Sequence, residues 1–120
     1  MKLIVVSCML SLVVWNASGQ RFGKALKDTP GMVSYTYRHS FQKDVSATLD
    51  TIKSLGVTNM EFSNLFGRTA ADIKKLLDEK GMRCTSFGVS YSDLVNKTSE
   101  VGQNARTLGA SFVRVAWIPH

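Results

Sequence analysis

The chain has 120 residues, of which 44% are hydrophobic and 20% charged, and its formal net charge is +6. That length gives room for one domain, and the composition excludes a disordered chain, which would be poor in apolar residues. The fifteen basic residues are scattered and do not alternate with aromatics, which argues against the nucleic-acid groove that a positive charge alone would suggest.

Residues 1–19 read as a signal peptide. Lys2 gives a positive start, residues 3–15 are almost unbroken apolar, and Ala17-Ser18-Gly19 supplies small residues before a cut. The apolar run is shorter than the roughly 20 residues that a spanning helix needs. The expectation is an exported protein, periplasmic or extracellular, whose mature chain begins at Gln20 and has no membrane partner once the signal is gone. A buried first element or an uncleaved anchor is the alternative. Cleavage removes Cys8 and leaves Cys84 alone, so no internal disulfide can form. Cys84 sits in an apolar run and is expected to be a small buried side chain.

Residues 20–30 are polar, end in Asp28-Thr29-Pro30, and read as a linker. Residues 31–37, GMVSYTY, are β-branched and aromatic, and predict a first strand with Arg38 and His39 just past its end. Residues 44–62 then hold a complete unit. Val45, Leu49, Ile52 and Leu55 fall at helical spacing on one face, Gly56 stops the helix, and residues 57–62 read as a strand carrying Glu61. The unit recurs at Gly81 and Gly109, 25 and 28 residues on, each glycine closing a helix pattern and opening an apolar run.

In the second unit Thr69 with Asp72 predicts a capping box, and Ile73, Leu76 and Leu77 a buried stripe. Residues 82–89 are strand three. A third helix is predicted to carry Leu94, Thr98, Val101, Ala105 and Leu108 on one face, with Gly102 weakening it by roughly 1 kcal/mol. Residues 111–118, SFVRVAWI, are strand four, with Phe112 and Val115 expected in the core. Repeated helix–glycine–strand units predict an α/β fold with a parallel sheet. Residues 31–120 hold three complete strand–helix units and a fourth strand, whereas a closed eight-unit barrel takes about 250 residues. The chain is therefore expected to be the front part of a larger protein or a truncated gene product.

Three segments, VSYTYRHSF, TLDTIKSLGVTNMEFSNLFGRTAADIKKLLDEKGMRCTSFGVS and NARTLGASFVRVAWIPH, resemble the N-terminal half of the sugar phosphate isomerase/epimerase family. The order and spacing of the helix–LG–strand–Glu-Phe segment and of the Trp-Ile-Pro strand carry the likeness. It implies the first half of a xylose-isomerase-like (β/α)8 barrel, truncated after the fourth strand. It also implies a divalent-metal enzyme (Mn, Mg, Co or Zn) acting on a small sugar or polyol by proton or hydride transfer. In that family the metal ligands come mainly from the second half of the barrel, so no metal is expected on this chain. Strand three commonly ends in a histidine there; here the aligned residue is Gly88.

Active sites of such barrels lie at the C-terminal ends of the strands. The substrate-binding candidates there are Arg38, His39, Glu61, Asn64, Trp117 and His120, with Ser90 and Tyr91 at the end of strand three. Glu61 fits a site role, binding substrate hydroxyls or supporting a metal ligand, or a plainer one as a carboxylate buried in the barrel mouth and paired with Arg38 or Arg114. For His39 and His120 the plainer role is an exposed loop histidine, and for Trp117 a pocket wall. No catalytic residue is assigned. Two other classes stay open: a non-catalytic sugar-binding or structural fragment, and an abasic-site endonuclease-like relative in the same barrel superfamily. The export signal and the scattered charge count against the second. No G-x-G-x-x-G follows the first strand, which sets a doubly wound nucleotide-binding fold aside.

Overall fold

The computed structural model describes residues 30–119. The signal peptide, the start at Gln20, the linker up to Thr29, and His120 lie outside the described residues. The described elements are β1 (Gly31–Val33), a 3-10 turn (Ser34–Tyr37), α1 (Arg38–Lys43), α2 (Val45–Ser54), β2 (Asn59–Phe62), α3 (Ala70–Lys80), β3 (Arg83–Val89), α4 (Tyr91–Asn96), α5 (Thr98–Leu108) and β4 (Phe112–Val115). The four strands form one sheet in the order β1-β2-β3-β4, and every pairing is parallel. This is the α/β architecture that the repeated units predict.

The helices cover one face of the sheet. Met60, Phe62 and Phe87 point into a core shared with Leu49 and Ile52 of α2, Ile73 and Leu77 of α3, and Ala105 and Leu108 of α5. Phe41 of α1 seals the upper end, stacked on Phe66 at 5.0 Å and edge-on to Phe62 at 5.8 Å. Alternate residues of the strands face the other way. On that face Val33, Glu61 and Ser86 are only half-buried, and Phe112 and Arg114 are exposed. An all-parallel sheet normally has both faces covered.

Local signals hold where they depend on neighbours in sequence. Thr69 and Asp72 form the capping box in both directions, and Asp44 caps α2 by accepting from the Ala47 N–H at 2.9 Å. Gly56, Gly81 and Gly109 all take the left-handed conformation at the ends of their helices (φ +81°, +63° and +75°), where a Cβ would be strained.

Five expectations need correction. The first strand stops at Val33, because Ser34 turns its hydroxyl inward to Ser63 and residues 34–37 wind into a 3-10 turn. Arg38 and His39 are therefore the first residues of α1, not a loop. The third helix is two helices, broken at Lys97 (φ −132°, ψ 34°), where the Thr98 hydroxyl bonds back to the Leu94 carbonyl at 2.5 Å. Leu55 ends α2 at its C-cap and is 59% exposed, so the stripe closes at Ile52. Phe112 is 69% exposed and Val115 half-buried, because no described element packs over β4 from outside. Leu76 is half-buried at the edge of its stripe.

Candidate functional site

The helix-free face carries one concentrated polar constellation, at the C-terminal ends of the strands. Its base is an irregularity between β2 and β3. Met60 pairs with Cys84 but Glu61 pairs with Ser86, so Thr85 is an extra residue on β3. Such a bulge re-aims the side chains beside it. Here it sets Ser86 directly opposite Glu61. On the far side of β3, Gly88 pairs with Arg114 of β4.

Arg114 reaches back across β3 to Glu61. Its Nε donates to Glu61 Oε1 at 2.7 Å, and its Nη2 donates to the same oxygen. The pair spans two strand spacings, roughly 9–10 Å from strand to strand. The missing side chain of Gly88 leaves the space between them open. A Cβ on Gly88 would stand 3.6 Å from Glu61 Oε1 and only 3.2 Å from the Ser63 Cα. The strand-three position where the resemblance expects histidine is thus crossed by an arginine from strand four. A histidine there would need the room that the ion pair occupies.

The Arg114 guanidinium holds the Glu61 carboxyl below its ordinary value, partial burial pushes the other way, and the Ser86 hydroxyl adds to the lowering. The Glu61 side chain is 16% exposed and that of Arg114 45%. Glu61 is therefore a fixed anion at neutral pH, and a weak base. Beside it, Ser34 is fully buried, its Oγ 3.0 Å from Ser63 Oγ, and it accepts from the Ser63 N–H at 2.9 Å. The Glu61 carboxylate, the Arg114 guanidinium and the Ser86 hydroxyl thus line the upper part of this face, with Ser63 half-buried near them and Ser34 buried beneath.

The other candidates are not brought to this group. The Arg38 guanidinium lies over the Tyr35 ring at 4.5 Å and donates to the Tyr35 carbonyl at 3.3 Å. Of the two partners weighed for Glu61, Arg114 is the one observed. His39 is exposed on α1. Asn64 is spent on local structure, its Oδ1 accepting from the Phe66 N–H where Phe66 and Gly67 take positive φ. Ser90 caps α4 by accepting from the Asp93 N–H at 3.0 Å, and Tyr91 begins that helix. Trp117 is 67% exposed beyond β4. Cys84 is buried, and burial pushes its thiol up, away from a reactive thiolate. Sequence reasoning missed Ser34, Ser63 and Ser86. Ser34 falls within the predicted first strand, and no spacing rule joins positions that meet only through the sheet.

A hollow of about 270 Å³ lies on the helix side beside the α4–α5 break, floored by Leu65, Phe87 and Val101. On its rim Lys97 stands 3.5 Å from Asp93, with Glu100 on the same lining. No helix among the described residues is long and apolar enough to cross a membrane. Nor do three His, Cys, Asp or Glu side chains among them come together as a metal site. The donor set around Glu61 does not fit a divalent ion. Its only carboxylate is already neutralised by a guanidinium, which repels a second cation. No protein-family model, curated protein or solved structure matches the chain.

Proposed function

We propose that these four β/α units are part of a (β/α)8 barrel related to the sugar isomerases and epimerases, and that their share of its site is to hold a small sugar or polyol. One observation carries this reading. An ionised carboxylate, Glu61, is fixed at the strand ends on the helix-free face, where barrel enzymes bind substrate. A carboxylate accepts hydrogen bonds from hydroxyl groups, and the lowered pKa keeps it an acceptor at neutral pH. The same lowering argues against Glu61 as the general base, whose pKa should lie near the working pH. The Ser86 hydroxyl on Glu61 and the half-buried Ser63 near it extend the hydroxyl-binding rim, while the buried Ser34 fixes Ser63 from beneath. The group that moves the proton, and any metal that polarises the carbonyl, would come from outside the described residues.

A second reading is structural. Both charges of the Glu61–Arg114 pair are satisfied by each other, so the pair also serves as a strap joining β2 to β4 across β3. This favours the non-catalytic class. One experiment separates the two. Titration with pentoses, hexoses and polyols is followed by the NMR carboxyl signal of Glu61, in parallel with a manganese titration and with exchange of sugar protons into deuterated solvent. The sugar-holding reading expects sugar-dependent shifts of that signal and a calorimetric sugar affinity that Glu61→Gln loses, without exchange and without stoichiometric manganese binding. No shift with any sugar leaves only the strap. Micromolar manganese binding with measurable exchange would overturn both and make this chain a catalyst in its own right.

A further inference from the structure

We propose that a second copy of this chain closes the open sheet, β4 of each copy lying alongside β1 of the other to form an eight-stranded barrel with two-fold symmetry. The proposal rests on the partial-barrel reading of the fold but not on what the barrel binds.

The topology makes the sheet complementary to itself. Among the described residues β1 pairs only with β2, and β4 only with β3, so both edges offer unpaired backbone groups. All four strands run in the same direction. A two-fold axis along the strand direction keeps that direction and sets β4 of one copy beside β1 of the other, in parallel. The operation satisfies both edges of both copies at once, and a closed assembly leaves no edge for further growth. Four strands from each copy make eight, the number at which a barrel interior is just filled by side chains.

The side chains fit this occupant. Phe112 and Val113, on opposite faces of β4, and Trp117 and Ile118 beyond it are all exposed. In an antiparallel sheet one wet face would be ordinary, but β4 is wet on both faces. Taking about 150–250 Å² for an aromatic side chain, Phe112 and Trp117 alone leave on the order of 250 Å² exposed. A ring of two copies buries that patch twice, on the order of 500 Å² before the facing β1 edges are counted, toward the roughly 1,000 Å² of total surface that a specific interface must clear. The helix-free face suits a barrel lining, since Gly31, Val33, Ser86 and Gly88 are small and the larger charged pair sits at the upper end. Closure would bring both Glu61–Arg114 pairs to the same mouth, so that each copy completes the other's site.

The test is the oligomeric state of the purified chain, by sedimentation velocity and light scattering across concentration. The expected result is a species of twice the chain mass and nothing larger. Phe112→Lys and Val113→Lys put a charge on the edge strand, and since each substitution enters both seams of the ring, each should raise the concentration of half-dissociation by roughly 1,000-fold, about 30-fold per seam at the level of a hot-spot residue. Circular dichroism checks that the variants fold. A second measurement needs no variant: the thermal midpoint of the natural chain should rise with its concentration, because dissociation accompanies unfolding. A monomer with a concentration-independent midpoint overturns the proposal. So does a ladder of larger species, which would mean edges that join without closing. A dimer that folded Phe112→Lys and Val113→Lys chains retain also overturns it, placing the contact elsewhere, for instance in the apolar residues 3–15. A dimer that binds no sugar removes the sugar-holding reading and leaves this one standing; a monomer that binds sugar does the reverse.

Discussion

β2 and β4 are both four-residue strands in the same sheet, NMEF and FVRV, and their fates differ. In β2 the residues alternate half-buried and buried, with Met60 and Phe62 sealed under helices. In β4 the more apolar sequence is exposed at three positions and half-buried at the fourth. The difference lies in what stands beside each strand. Among the described residues β2 has a strand on either side and helices over one face, whereas β4 has a strand on one side only. Burial is therefore set by position in the sheet, and a strand's own hydrophobicity sets only how much is gained when something covers it.

The sharpest way to break this comparison is within one helix. Leu49 and Leu55 belong to the same sequence stripe, but Leu49 is fully buried against β2 and Leu55 is at the exposed C-cap. Leu49→Ala should cost roughly 2–5 kcal/mol in urea unfolding, the range for core truncations. Leu55→Ala should stay within about 0.5 kcal/mol, as surface changes do. Equal costs would mean that the stripe, and not the sheet position, decides.

Next in size is Gly88→Ala. The added methyl meets the Ser63 backbone at 3.2 Å and approaches Glu61. The expected loss is roughly 1–3 kcal/mol, typical of overpacking a well-filled site. It should be accompanied by a rise in the Glu61 pKa as the ion pair is pushed apart. A neutral Gly88→Ala with an unmoved Glu61 would show that the gap over β3 is not what seats the pair.

The smallest effect concerns the strap itself. The folded-state pKa of Glu61 is lowered from 4.5. Its contribution to stability is thus complete at pH values above the unfolded pKa and is lost as pH falls through the folded value. With Arg114 45% exposed, the contribution is discounted to about 0.2–1 kcal/mol at neutral pH. In Arg114→Met the main cause of the lowering is gone and partial burial dominates, so the Glu61 pKa should rise above its ordinary value. The sign of the dependence then reverses, with stability favoured in acid and lost as pH rises. Carboxyl NMR titration of both proteins, alongside unfolding at pH 3 and pH 7, reads this directly. An unchanged Glu61 titration in Arg114→Met would remove Arg114 as the cause.

Much of the fold is legible in the sequence because it rests on contacts within one or two turns of chain. The capping box at Thr69 and Asp72, the left-handed glycines at 56, 81 and 109, and the buried faces of Leu49, Ile52, Ile73 and Leu77 are all set by residues three or four apart. The strand ends resist such reading. Ser34 leaves the strand for a partner 29 residues away. At the site, Glu61 and Arg114 are visible as candidates, but 53 positions separate them. No rule of spacing says that a bulge at Thr85 sets Ser86 against Glu61, or that Gly88 leaves the gap through which Arg114 reaches.

The sequence by itself determined an α/β chain of parallel units, the helix faces that meet the sheet, and the glycines that end each helix. Period and backbone conformation are local properties, carried by each short segment wherever it is placed. Only the tertiary structure decided which carboxylate meets which arginine, which hydroxyls join them, and that β4 stays wet while β2 is dry. Those outcomes depend on register and on neighbours distant in the chain, and hydrophobic attraction, being non-directional, specifies neither until the sheet has assembled.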